Sequence, residues 1–246
     1  LLSDEAPGVV IGFLAIAMAC GVVVPLDPGA PEARLAALLE DSAASLVLCD
    51  ASWVAPIRSK LRSAGEPLSM LHMVALETAL AGGGESGSAV GGGSCSAVGD
   101  EWSPPSGSSL CHLIYTSGST GRPKAVAVRH AALHAYCAAK LRAHAIDGRA
   151  RVLLASAHTW DPCLGDVFST LAAGALLCTA PRAALVHELG HTLEATACTH
   201  VCLTPSLWSL VTLEPSQVPI ELTRPDSTRL DSTRPDSTRL DSTRPD

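Results

Sequence analysis

Strands alternating with helices along most of this 246-residue chain predict an α/β fold of mostly parallel sheets flanked by helices. Three observations carry that prediction. Short β-like runs recur at Leu46-Val47-Leu48, Val152–Ser156 and Leu176–Thr179. Segments with helically spaced apolar residues lie between such runs. A loop of glycine and hydroxyl residues joins two further β-like runs near the middle of the chain. With 47% hydrophobic residues, the chain is long enough to bury a sizeable core.

The elements follow in order. Val9 to Leu26 carries no charge and approaches the length of a marginal membrane span. Asp4 and Glu5 precede it, where a signal peptide would carry basic residues. Gly21 and Pro25 divide it into a buried helix and a short strand, Val22-Val23-Val24, so no membrane partner is expected. Leu35 to Leu39 has helical spacing, and Trp53 to Ala64 reads as helix, which completes a first α/β block over 1–81. Residues 82–109 form a Gly/Ser/Pro-rich linker or loop insertion, with GGG at 82–84 and 91–93. A second block spans 110–220, with a helix near His130–His144 and the strands named above. From Leu222 the chain runs in five pentads, LTRPD, STRLD, STRPD, STRLD and STRPD. Leucine is the only large apolar residue there, so 221–246 is expected to be a disordered repeat tail or a misread repeat. Because the chain opens on Leu1 rather than Met, its native start is expected further upstream.

Charge and cysteine usage exclude whole classes of function. The net charge is −7, aromatic residues make up 3%, and no basic patch occurs, so nucleic acid is not an expected partner. Nine scattered cysteines, an odd number, read as reduced thiols of a cytoplasmic protein rather than a disulfide framework.

The most informative stretch is Leu113 to Val128, LIYTSGSTGRPKAVAV. Thr116, Ser117, Gly118, Ser119, Thr120 and Gly121 place backbone N–H groups and hydroxyl donors within reach of one anion. Gly118 and Gly121 admit positive φ and let the backbone come close to it. Lys124 adds a mobile positive charge just past the loop. The common P-loop has glycine directly before its lysine, then Ser or Thr and a helix. Here Pro123 precedes Lys124, and Ala125 and the strand-like Val126-Ala127-Val128 follow. The segment is built to hold the phosphates of a nucleotide.

This segment resembles the phosphate-loop signature of the adenylate-forming (AMP-binding) enzymes: acyl-CoA synthetases, luciferases and nonribosomal peptide synthetase adenylation domains. Ala125 stands where that signature usually has glycine. Leu14 to Asp50 is similar to the family's block of apolar helix, Gly, strand, PLDP, helix, EDS and strand, most of all in the amino-acid-activating branch. Ala155 to Arg182 and Thr199 to Leu207 are similar to segments lining that branch's acid pocket. The resemblance covers roughly 9–219 and implies a partial N-terminal large subdomain of the adenylate-forming fold. It also implies ATP with Mg²⁺, and attack of a carboxylate on the α-phosphate to give an acyl-adenylate and pyrophosphate. The acyl group would pass to a thiol, either a carrier-domain phosphopantetheine or coenzyme A. By motif, Thr116 to Gly121 would wrap the β- and γ-phosphates, and Lys124 would steady their charge. Asp161 of the pair Trp160-Asp161 would bind the α-amino group of an amino acid, and a β-amino acid such as β-alanine would satisfy it equally. Trp160 replaces the usual Phe, and Cys163 stands where relatives often have Ser. An ordinary turn aspartate before Pro162 is the competing reading. His158 would line the pocket or serve as a structural histidine.

The later segments of that family, which supply the adenine, Mg²⁺ and ribose contacts and the catalytic lysine, have no counterpart here. Little adenylation by this chain alone is therefore expected, and a non-catalytic ATP-binding fragment is the alternative. A distant alternative is the zinc-protease pattern H-E-x-x-H at His187-Glu188-Leu189-Gly190-His191. Glycine inside the would-be helix and Glu194 and Ala197 at the positions of the extended motif argue against it. Cys198-x-His200-x-Cys202 alternates as a strand does and is too tightly spaced for an ordinary zinc site, so no metal ligands are assigned.

Overall fold

A computed structural model describes residues 1–3, 6–63, 71–77, 103–116 and 123–209. The first block runs α1 (Ala6–Met18), α2 (Glu32–Asp41), β1 (Leu46–Cys49), α3 (Ala51–Ser63) and β2 (His72–Ala75). The second runs β3 (Leu110–Thr116), β4 (Lys124–Arg129), α4 (His130–Ala143), β5 (Arg151–Leu153), α5 (Asp161–Ala172) and β6 (Leu176–Cys178). It ends with α6 (Arg182–His187), α7 (Leu189–Thr196), β7 (His200–Val201) and α8 (Pro205–Trp208).

The expected α/β architecture is present. Strand β1 pairs in parallel with β2, and β5 lies between β6 and β7, both parallel to it. The exception is antiparallel: β3 and β4 are the two arms of a hairpin around the glycine-rich loop, as a short connection requires. Val22-Val23-Val24 forms no strand of its own, and only Val23 makes a bridge, to His112. The strand expected over Val152–Ser156 stops at Leu153, because the chain must turn out of the sheet to reach α5. Among the described residues no helix is long and apolar enough to cross a membrane.

Amphipathic spacing explains the layers. Leu35, Leu38 and Leu39 of α2 bury against Val47, Ile57 and Leu61. A second cluster draws on both blocks: Val9 and Phe13 of α1 and Val23 meet Ile114 of β3, Leu154, and Leu164 and Val167 of α5. Val9 and Phe13 thus bury one face of helix α1 in the core the two blocks share, while Ala15 and Met18 remain exposed.

Helix α5 ends by a glycine device. Gly174 has φ +67°, and the N–H of Ala175 reaches back to the Thr170 carbonyl at 3.0 Å. Four other turns use non-glycine residues at positive φ: Cys20, Ala43, Ala145 and Ala197, at 54°, 47°, 50° and 44°. The left-handed region costs an L-residue about 1–2 kcal/mol, part of which glycine's freer unfolded chain returns. Ala43 and Ala197 are exposed, so their methyl groups contribute no packing. Ala197→Gly and Ala43→Gly should each stabilise the fold by about 0.5–1 kcal/mol, read as a higher denaturant midpoint with unchanged slope.

Helices α4 and α5 are locked by an ion pair. Lys140 Nζ, 8% exposed, bonds Asp166 Oδ1, 1% exposed, and Asp166 Oδ2 has no hydrogen-bond partner. Burial alone would lower the Lys140 pKa, but the adjacent Asp166 carboxylate overrides it and raises it, so the ammonium stays charged. Burial pushes the Asp166 carboxyl up, against the pull of Lys140. Removing one partner of such a pair strands the other charge at a cost of about 3–5 kcal/mol. Lys140→Met should lose that much at neutral pH and less in acid, where the stranded, upshifted carboxyl takes up a proton. The double variant Lys140→Met/Asp166→Leu should regain most of it, with thermal melts at pH 7 and pH 4 as the check.

Candidate functional site

The hairpin fixes the two ends of the glycine-rich loop. Thr116, the last residue of β3, pairs in register with Lys124, the first of β4, and Thr116 Oγ1 donates to the Lys124 carbonyl at 3.4 Å. Ser117, Gly118, Ser119, Thr120 and Gly121 lie outside the described residues. One residue before the loop strand ends, Tyr115 donates its hydroxyl to Asp41 Oδ2 at 2.7 Å, tying β3 to the end of α2. Burial, with the Asp41 hydrogen bond and charge, pushes the Tyr115 phenol up to about 12.

Asp161 is the first residue of α5 and is exposed. Pro162 beside it sets the helical φ without losing a needed donor, and a carboxylate in the first turn suits the helix dipole. Trp160, 57% exposed, stands at the N-cap. It borders two openings. One, of about 270 Å³, is walled by Asp27, His158, Cys163 and Arg182 among others. The other, of about 380 Å³, lies between Arg34, Tyr115 and Trp160, beside the start of the glycine-rich loop. His158 borders the first, and its Nε2 lies 2.9 Å from the Leu26 carbonyl, so its ring also fastens the approach to α5 onto the PLDP segment.

Asp161 acts electrostatically on three residues from other elements, of which the sequence had marked only Cys202, in the Cys198-x-His200-x-Cys202 run. His112 of β3, 2% exposed with an unpartnered Nδ1, lies close enough for the Asp161 charge to act on it. Tyr136 of α4 and Cys202, just past β7, are within electrostatic reach of both Asp161 and Asp166. Burial pushes the Cys202 thiol up, helped by Asp166. The Tyr136 ring lies on Gly165: a Cβ there would stand 2.2 Å from Tyr136 Cε1. One signal in the sequence does point to this cluster, a glycine in mid-helix one turn after Asp161.

The remaining motif is divided by the fold. His187 closes α6, Glu188 is non-helical at φ −132° and ψ 33°, and His191 lies in α7. The two histidines therefore do not share the continuous helical face that the zinc pattern requires. Among the described residues no group of three His, Cys, Asp or Glu is placed to hold a metal ion. The eight described cysteines are all free thiols.

Burial lowers the pKa of His158, and of His112 and His144, below the usual histidine range. The unfolded chain then binds more protons than the folded one, so stability is full above the ordinary histidine pKa and falls as pH drops through the lowered folded values. His158→Gln should flatten part of that decline between about pH 6.5 and 5, measured as melting temperature against pH.

Comparison with known proteins agrees with this geometry. The profile of the family described as AMP-binding enzyme matches residues 1–236. Among curated relatives, nonribosomal peptide synthetase ecdA of Aspergillus rugulosus is 31% identical over 219 residues, covering 89% of this chain and 3% of that protein. Among solved structures, VinN in complex with L-aspartate superposes with a TM-score of 0.66 at 24% identity, covering 85% of this chain and 49% of that one. The AMPPNP-bound form of the nonribosomal peptide synthetase FmoA3 gives 0.66 at 22%, covering 85% and 20%. The chain thus spans a minor part of each relative. The glycine-rich hairpin, the parallel sheets and the profile match over most of the sequence place this chain in the AMP-binding enzyme family.

Proposed function

We propose that this chain carries the phosphate grip and the acid pocket of a ligase that activates an amino acid as its acyl-adenylate, releasing pyrophosphate. The observation that supports this most is the β3–β4 hairpin. It holds Thr116 and Lys124 in register at the two ends of a loop rich in N–H and hydroxyl donors. Both reactants are anionic, so the work of the site is positioning and charge stabilisation. Thr116, Ser117, Gly118, Ser119, Thr120 and Gly121 wrap the β- and γ-phosphates, and Lys124 offsets their charge. Mg²⁺ bound with the nucleotide would help neutralise the phosphate charge, and among the described residues no group of three ligands is placed to hold it.

Asp161 receives the substrate ammonium. An amine facing an exposed helix-start carboxylate keeps its pairing, whereas an acid lacking the amine leaves Asp161 unpaired once the pocket closes. Trp160 and His158 border the approach. The VinN complex with L-aspartate supports an amino acid as the acid, and the AMPPNP-bound FmoA3 supports ATP as the nucleotide. The acceptor is a thiol, of a carrier-domain phosphopantetheine by the nonribosomal relatives, with coenzyme A as the other candidate.

The grip can be tested on the chain itself. ATP with Mg²⁺ should bind by isothermal titration, and Lys124→Ala should weaken it tenfold or more, since a charge-assisted contact to phosphate carries about 1.5–3 kcal/mol. Equal binding by the variant would remove Lys124 from the site. Amino-acid-dependent pyrophosphate exchange by a longer form of the protein would test the reaction.

A further inference from the structure

The three-stranded sheet has the order β6-β5-β7, and the chain leaves β5 and β6 on opposite faces of it. Helix α5, which follows β5, packs Leu164 and Val167 with Leu154. Helix α7, on the way from β6 to β7, packs Leu189 and Leu193 with Leu153 and Cys178. Leu153 and Leu154 are successive residues, and the Leu154 N–H still bonds the Cys178 carbonyl at 2.9 Å, so their side chains point to opposite faces. The two connections therefore part at the carboxyl ends of β5 and β6. A crevice at such a switch point is where open α/β sheets bind ligands. The opening of about 270 Å³ lies there. Residues 154–160, which follow β5, form one side, and Ala180, Arg182 and Leu185, which follow β6, form the other.

The wall carries both signs of charge. Asp27 and Arg182 line it and are exposed. Asp27 Oδ1 accepts the Gly29 N–H at 2.8 Å, which leaves Oδ2 for a further donor. His158 Nε2 lies 2.9 Å from the Leu26 carbonyl, and since a carbonyl only accepts, Nε2 carries the proton. Burial lowers the pKa of this ring, so at neutral pH it is uncharged and Nδ1 is an acceptor. The opening is smaller than the roughly 300–1,000 Å³ of sites for drug-sized ligands, so its ligand is small.

We infer that this opening is a second site, for a zwitterionic free amino acid, whose ammonium pairs with Asp27 and His158 Nδ1 and whose carboxylate pairs with Arg182. Asp161 does not line the opening, so the inference goes beyond the proposed reaction and does not rest on it. A plain anion would meet Asp27 and a plain cation would meet Arg182, whereas a ligand with both charges leaves neither side chain facing its like. Thr159 and Trp160 border this opening and also the one beside Tyr115, so a ligand bound here braces the segment that leads into α5.

The test is ligand-observed NMR on the 246-residue chain carrying Asp161→Asn, so that binding at the start of α5 does not contribute. The probes are alanine and its two single-charge halves, propionate and ethylamine. Alanine should bind, and each half should bind about tenfold weaker or less, as loss of a charge-assisted contact requires. Added to that chain, Arg182→Ala and Asp27→Asn should each weaken alanine by about tenfold or more, and Arg182→Lys should restore part of the loss. Asparagine keeps the Oδ1 acceptor for Gly29 and Arg182 is exposed, so both variants should retain a cooperative melt. Alanine binding unaltered by Arg182→Ala or by Asp27→Asn would overturn the inference, as would propionate binding as tightly as alanine. Alanine bound by the wild type but not by the Asp161→Asn chain would overturn it too, while leaving the Asp161 reading standing. Alanine bound by neither would overturn it outright, with pyrophosphate exchange still deciding the reaction.

Discussion

The Lys140–Asp166 pair is the constraint on which the arrangement of the site depends. The chain leaves the glycine-rich loop through β4, enters α4 at His130 without a connecting turn, and reaches Lys140 in the last turn of that helix. Asp166 receives it from α5, whose first residue is Asp161. One buried bond therefore closes a mechanical path from the glycine-rich hairpin to the start of α5. A hydrophobic pair would hold the helices with comparable energy, since desolvation consumes most of what a buried ion pair gains. A point-to-point bond between two charges does, however, tolerate little sliding of one helix on the other. Register of this kind matters wherever groups on two elements must act together, because a misplacement of about 1 Å can cost a hundredfold in rate.

The second anchor is the Tyr115–Asp41 hydrogen bond, which fixes the upstream arm of the same hairpin to the first block. Together the two anchors hold both sides of the loop, one through β3 and one through β4 and α4. The central core reinforces this, since Phe13 and Val9 of α1 pack against Ile114 and Leu164. The two ends of the loop, Thr116 and Lys124, are thus held in a fixed frame.

Much of this was readable in the sequence where a local pattern decides the outcome. Strands β3 and β4 followed from the β-like runs flanking the glycines, and α2 and α3 followed from spacing and breakers, since each buries one apolar face. Val22-Val23-Val24 failed as a strand because β propensity expresses itself only where a partner strand is available, and only Val23 finds one. The H-E-x-x-H match misled because sequence spacing assumes an unbroken helix, and the chain breaks at Glu188. For the site, the residues of the loop and the aspartate at the start of α5 announce themselves by type and order. Tyr136 and Lys140 do not: only the packing of α4 on α5 sets Tyr136 against Gly165 and Lys140 against Asp166.

Gly165 shows how such three-dimensional information leaves a trace in one dimension. A helix with free choice would place alanine there and gain close to a kilocalorie. That it carries glycine implies that something approaches the backbone at that turn, and the ring of Tyr136 is what approaches. Local propensity and global fit usually agree in natural proteins, and where they part, the reason is strain or function. Here the visible reason is packing: the ring of Tyr136 seats on bare backbone and brings α4 close to α5. A chain that placed a side chain at 165 would have to move that ring and stabilise the helix pair by other means.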